Sequence, residues 1–173
     1  VSIQSSLERW RAELARLQAV DAWISAGKPS THAVLASLLT PYDRLKAQDA
    51  KQALKVAREQ AAKDAFIRIF SAFELEFRNA FRLWLADRCS SVGGQELNEA
   101  LPESIRSLLR LAAALNAGFA KPQHGYVGNV MDVRNGLVHG GFERPMPYDL
   151  EDVAAKLAAI VAVFRMRAAG SAE

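Results

Sequence analysis

The stretch Arg134-Asn135-Gly136-Leu137-Val138-His139 gathers the side chains with the most chemical capacity in this chain. It holds a permanently charged guanidinium, a carboxamide, and an imidazole that titrates near neutrality. On a helix turning about 100° per residue, Val127, Val130, Met131, Leu137 and Val138 fall on one stripe, and Arg134 projects from its middle. A guanidinium aimed at a core or an interface is costly unless paired, so its position argues for a task. Asn135 and His139, four residues apart, stack on the flank of the stripe beside Asp132. Arg134 and His139 are about 140° apart around the helix. They converge only because arginine is long and His139 stands where the helix ends. One titrating group and one fixed cation are the minimum for phosphoryl chemistry without a metal: proton transfer, and stabilisation of a charged transition state. Asn135 suits orienting His139 or donating to a phosphate oxygen. A structural reading is equally open, with Arg134 paired to a carboxylate of a central helix and His139 capping a helix end.

Nothing else in the chain competes with this stretch. There is no phosphate-cradling glycine loop, metal-ligand spacing or nucleophile elbow, so neither a metal nor a cofactor is expected. His32 reads as a solvated surface residue, and His124 precedes a glycine in an expected turn. Cys89, the one cysteine, reads as a small apolar residue near a helix end. A single cysteine excludes an intrachain disulfide framework and a cysteine-based zinc site, and it suits a reducing cytoplasm. No apolar run reaches the roughly 20 residues that span a bilayer, and no signal-peptide pattern opens the sequence. The net charge of +3 permits an anionic partner without demanding one. No clear Lys/Arg stripe marks a nucleic-acid track; Arg78, Arg82, Arg106 and Arg110 are the candidates, with solvated surface charge as their default role.

The elements that position the motif read as helices throughout. Half of the 173 residues are apolar, enough for a real core, and period-2 alternation is nearly absent. The first helix is expected over Ile3 to Ser25, with Leu7, Trp10, Leu14, Leu17 and Ile24 at three-four spacing broken by Asp21. Gly27-Lys28-Pro29 stops it, and Ser30 caps a short helix carrying Val34, Leu35, Leu38 and Leu39. Thr40-Pro41 heads the next helix. From there to Cys89 there is neither Gly nor Pro, a length that predicts a kink or break near Gln60 to Asp64. The first part carries a thin stripe of Leu45, Leu54 and Val56. The second part, with Phe66, Ile69, Phe70, Phe73, Phe77, Phe81, Trp84 and Leu85, is the expected central core helix, its aromatic stripe read as packing. Ser90 to Gly94 reads as a loop, and Pro102-Glu103 opens a helix burying Ile105, Leu108, Leu109, Ala112 and Leu115. Lys121 to Gly125 reads as a turn. The motif helix follows from Tyr126 to Val138, ended by Gly140-Gly141. Asp149 caps a last helix that turns Leu150, Val153, Leu157, Ile160, Val161 and Phe164 inward. Up to seven helical segments with short connections imply an all-α antiparallel bundle. Residues 1–40 are expected as an N-terminal helical extension packing on a bundle of residues 41–173.

With these residues in place, the motif resembles a known superfamily. Arg134-Asn135, three residues and His139, followed by Gly140 at the end of a late helix in an all-α bundle, is similar to the signature of HEPN domains. The resemblance covers residues 41–168. The segment Phe73-Glu74-Leu75-Glu76-Phe77-Arg78 suits the core helix of that family, where an acidic residue often faces the motif. Glu74 borders the aromatic stripe and reaches toward Arg134 or, alternatively, pairs with Arg78 one turn on; Glu76 points further away. The resemblance implies a metal-independent endoribonuclease, acting as a toxin or an antiviral defence component, with RNA as substrate, a homodimer with paired motifs, and a possible antitoxin or regulatory partner. It assigns His139 to proton transfer, Arg134 to the charge on phosphorus, Asn135 to positioning and Glu74 to a supporting role. The products would carry 2′,3′-cyclic phosphate and 5′-OH ends. Toxin members controlled by nucleotidyl transfer carry a tyrosine two residues after the histidine; here Gly141 stands there, then Phe142, and neither Tyr126 nor Tyr148 has the spacing. The competing reading is a non-catalytic helical dimerisation or interaction module.

Overall fold

Three-four spacing of apolar residues dictates helices, and every regular element among the described residues is an α-helix. The structure, a computed structural model, describes residues 1–28, 39–89, 96, 99–115, 121–140 and 146–169. The expected helix after Ser30, the loop at Ser90 to Gly94 and His32 lie outside them.

Helix α1 (Ile3–Ser25) has the expected bounds. The Ser2 hydroxyl accepts from the Ser5 amide at 3.0 Å, and the Ser5 hydroxyl accepts from the Ser2 amide at 2.9 Å, a reciprocal N-terminal cap. Gly27, at φ +78°, ends the helix in the left-handed region that glycine enters without a Cβ penalty. Asp21, the break in the apolar stripe, faces Arg58 at 3.0 Å.

Helix α2 (Ala47–Arg88) runs unbroken for 42 residues, about 63 Å at 1.5 Å per residue. The break expected near Gln60 to Asp64 does not occur. Gln60 donates to Asp64 at 2.9 Å one turn on, and Ala57, Ala61, Ala62 and Ala65 let the helix continue close to its neighbours. Its start also differs from expectation. Residues 39–43 form a separate helical turn containing Thr40 and Pro41. Its end is tied down by Lys28, whose ammonium donates to the carbonyls of Tyr42 (2.6 Å), Asp43 (3.0 Å) and Leu45. This long-range cap displaces the start of α2 to Ala47. Leu45 and Val56 are exposed, and Ala50 and Leu54 form the buried stripe instead.

Helix α3 (Ile105–Ala114) starts later than Pro102 because the Ser104 hydroxyl caps it, accepting from the Ser107 amide at 3.1 Å. It buries Ile105, Leu108, Leu109 and Ala112, while Leu115 lies past its end and is exposed. Helix α4 (Lys121–Val138) absorbs the turn expected at Lys121 to Gly125. Proline is tolerated in a first helical turn, where its missing N–H has no intrahelical partner. Helix α5 (Leu150–Ala169) is capped by Asp149, whose Oδ1 accepts from the amides of Glu151 (2.8 Å) and Asp152 (3.1 Å). All six of its expected inward residues are buried.

The aromatic stripe of α2 is the spine of the main core. Phe66, Phe70, Phe73, Phe77 and Phe81 are fully buried, and Phe164 of α5 meets Phe77, Phe81 and Trp84 edge-on, with ring centroids 5.1–6.0 Å apart. Ile3 and Leu7 of α1 belong to this core. A second, smaller cluster joins Leu17, Val20 and Ile24 of α1 to Leu39, Ala50 and Leu54. The helices are not all antiparallel. Glu76 meets Ile3 and Arg58 meets Asp21, so α1 and α2 are antiparallel. Phe66 stacks on Tyr148 while Phe81 meets Phe164, so α5 runs parallel to α2.

Candidate active site at the end of the motif helix

Helix α4 positions the motif by burying one half of its stripe and leaving the other half open. Val127, Val130 and Met131 are buried, Leu137 and Arg134 are half-buried, and Val138 is 46% exposed. Arg134 therefore stands where the apolar stripe leaves the core. Tyr126 anchors the other end of the helix, packed edge-on against Tyr148 with Lys156 over its ring. Burial, then the carboxylate of Asp152, pushes its phenol up to about 12, which marks it as a packing group.

The guanidinium of Arg134 donates from Nη1 to Oδ1 of Asn135 at 3.0 Å. Its Nε is closed off from solvent and has no hydrogen-bond partner. That bond orients the neighbouring carboxamide so that its NH₂ is left to donate, and Arg134 and Asn135 form one donor unit suited to an anionic oxygen. His139 lies one step past Val138 on the last turn. Its amide donates to the Asn135 carbonyl at 3.0 Å, and Gly140 at φ +73° ends the helix. The imidazole is exposed and makes no side-chain bond to Arg134 or Asn135.

Glu74 stands beside this unit without an ion pair to it. Burial raises its carboxyl above the ordinary range, while the charges of Arg134 and then Arg78 pull it back down. The alternative partner, Arg78, is engaged elsewhere: its guanidinium donates to the carbonyls of Pro102 (2.8 Å) and Glu103. Glu76 points to the opposite flank of α2, accepting from the Ile3 amide and from Arg165, both at 2.7 Å. Arg106 is tied to Asp132 at 2.9 Å, so it braces α3 against the motif helix.

Four of the residues singled out in the sequence therefore share one region. Arg134 and Asn135 are bonded, Glu74 lies within electrostatic reach of Arg134, and His139 follows on the same helix. His124 is half-buried in the first turn of α4, away from the motif end. Among the described residues, no group of three or more His, Cys, Asp or Glu side chains is placed to hold a metal ion, and no helix is long and apolar enough to cross a membrane. One chain offers a single imidazole, a cation and an amide donor at this place. That set can move one proton and hold one charged oxygen. In comparisons with protein-family models, curated proteins and solved structures, nothing matches this chain.

Proposed function

We propose that the chain is a HEPN-like endoribonuclease that cleaves RNA without a metal, working as a homodimer in a toxin or antiviral defence role. The observation that carries this reading is the state of Arg134. It is a half-buried guanidinium with a shielded Nε and no carboxylate within 4.0 Å among the described residues, bonded instead to Asn135 and followed by an exposed His139. A guanidinium held for packing alone would be expected to face a carboxylate, because an uncompensated buried charge is costly.

In the proposed reaction, His139 takes the proton from a ribose 2′-OH. The 2′-oxygen bonds to phosphorus, and the bond from phosphorus to the 5′-oxygen breaks. The partner subunit's His139, as imidazolium, gives its proton to the leaving 5′-oxygen. Cyclic phosphate and 5′-OH ends result, and the two imidazoles exchange roles. Arg134 holds the charge that builds on the phosphoryl oxygens, Asn135 donates to one of them, and Glu74 orients Arg134 from behind. The second copy supplies the acid that one chain lacks, and the exposed Val138 at the end of the stripe gives it an apolar contact.

That same surface favours a second reading, in which the motif end only builds an interface between helical modules. One experiment separates them. Wild-type protein and His139→Ala, matched for folding and dimerisation, are incubated with total RNA in EDTA. The ribonuclease reading expects cleavage by the wild type and a loss of about a hundredfold or more in the variant. Intact RNA in both, from a tight dimer, supports the interface reading; equal cleavage by both removes His139 from the chemistry.

A further inference from the structure

The outward face of α2 carries a line of cations that the proton-transfer residues do not use. Arg68, Leu75 and Arg82 are seven residues apart, so they recur on one line of the helix, with the two arginines about 21 Å apart along its axis. Ser71 and Asn79 lie exposed between them. Both arginines are half-buried, and each has its Nε closed off from solvent without a hydrogen-bond partner. Neither has a carboxylate within 4.0 Å among the described residues, whereas Arg11, Arg16, Arg58, Arg88, Arg106 and Arg165 each do.

Cations outnumber acids along this line. Between Arg68 and Arg82, α2 holds two acids. Glu76 is on the far flank, bonded to Ile3 and Arg165; Glu74 lies at the edge nearest the motif. At one end, Arg9 of α1 joins Arg68 in lining a groove of about 480 Å³ that also presents Ser5 and Ser71. At the other end, Arg78 stands about 40° around the helix from Arg82, held by backbone carbonyls that leave its charge unneutralised. Glu74 feels both Arg78 and Arg134, so this edge of the face borders the motif.

We propose that this face seats the phosphodiester backbone of a single-stranded RNA, with Arg68 and Arg82 each holding a phosphate, Arg9 extending the hold, and the strand passing over the Arg78 edge to Arg134. The proposal rests on the ribonuclease reading and gives it a substrate path. Unpaired, partly desolvated guanidiniums call for an anionic occupant. A second copy presenting the same face would set arginine against arginine, and an apolar partner would desolvate both cations further without neutralising them.

The test uses His139→Ala protein, which keeps the strand intact, and a short fluorescein-labelled single-stranded RNA of mixed sequence in EDTA. Binding is followed by anisotropy between about 50 and 200 mM salt. The parent is expected to bind with a salt-dependent affinity. Adding Arg68→Gln and Arg82→Gln is expected to weaken binding about tenfold at low salt and to flatten the log–log salt slope by about 1.4, two contacts at about 0.7 each for single strands. Arg68→Lys with Arg82→Lys should keep the slope, and circular dichroism with urea midpoints establishes that both pairs fold. The proposal is overturned if the parent does not bind, if the Gln pair binds as the parent does, if the Lys pair fails as badly as the Gln pair, or if polyglutamate competes as well as RNA. Arginine-dependent binding by a wild type that leaves RNA uncut would remove the ribonuclease reading and keep the RNA seat. Cleavage by a wild type whose Gln pair retains full affinity would do the reverse.

Discussion

Replacing Glu76 with Ala is expected to loosen the junction of three helices. The side chain is 16% exposed. One oxygen accepts from the Ile3 amide at 2.7 Å, and the other from Arg165 at 2.7 Å. The Ile3 amide is one of the donors at the start of α1 that no helical carbonyl can satisfy, and Ile3 itself is 3% exposed. A hydrogen bond from such a group to a carboxylate contributes about 1.5–3 kcal/mol. The Arg165 pair contributes less, because that arginine is 60% exposed and solvent screens it; a few tenths of a kcal/mol, at most about 1, is expected. Glu76→Ala should therefore cost about 2–4 kcal/mol, or about 4–16 °C in Tm for a chain of this size. Glu76→Gln keeps a neutral acceptor for Ile3 and should cost about 1 kcal/mol, and Arg165→Ala should cost less than that. Urea unfolding followed by tryptophan fluorescence gives the three values as shifts in midpoint at constant slope. A loss below about 1 kcal/mol for Glu76→Ala, or an Arg165→Ala cost equal to it, would refute the assignment of the energy to the Ile3 bond.

Two more outcomes test the site itself. Burial, opposed by Arg134 and Arg78, leaves the Glu74 carboxyl raised. A folded value above the unfolded one means that the folded chain binds this proton more tightly, so its stabilising contribution is present at low pH and is lost as pH rises through the folded value. Glu74→Gln should then exceed the wild type in stability near pH 7, with the gap closing toward about pH 4; urea midpoints at the two values check this, and a gap that widens on acidification contradicts it. Gly140 sits at φ +73° with nothing within 4 Å of an added Cβ. Gly140→Ala should thus cost only the backbone preference, about 1–2 kcal/mol, and Gly140→Asn less. An unchanged urea midpoint for the alanine variant would show that the last turn re-forms without the left-handed residue.

Where local chemistry decides structure, the sequence was readable. Gly27 ends α1, Asp149 starts α5, Gly140 ends α4, and the aromatic spacing from Phe66 to Leu85 marks the core helix. The misreadings come from forces that act across the chain or from residues with two tolerances. Lys28 reaches the carbonyls at Tyr42, Asp43 and Leu45 from 14 to 17 residues away, so nothing near Thr40 reveals that α2 begins later. Pro122 and Gly125 look like a turn, yet a first helical turn accepts proline and Gly125 has open space around it. At the site, the sequence suggests that Asn135 bonds imidazole or phosphate; the direct side-chain bond it accepts from its neighbour Arg134 is not legible there. The redirection of Arg78 to the carbonyls of Pro102 and Glu103, just before α3, depends on where α3 docks. Arg68 was missed, although its sevenfold spacing with Leu75 and Arg82 was available.

The length of α2 has a consequence for how the molecule comes apart. From Ala62 to its end, about seven turns, it is locked among α1, α5 and the aromatic spine. Among the described residues, the segment before Ala61 leans on the second half of α1 and the turn at 39–43, around a smaller cluster of six buried residues with Trp23 and Tyr42 packed against it. Helical hydrogen bonds continue through both zones, but the buried apolar contacts that support them do not. The far end can therefore open and close as its own cooperative unit, with Lys28 as its clasp, while the end that carries the motif stays shut. Amide exchange along this one helix should fall into two tiers, fast around Ala50 and Leu54 and slow from Phe66 onward.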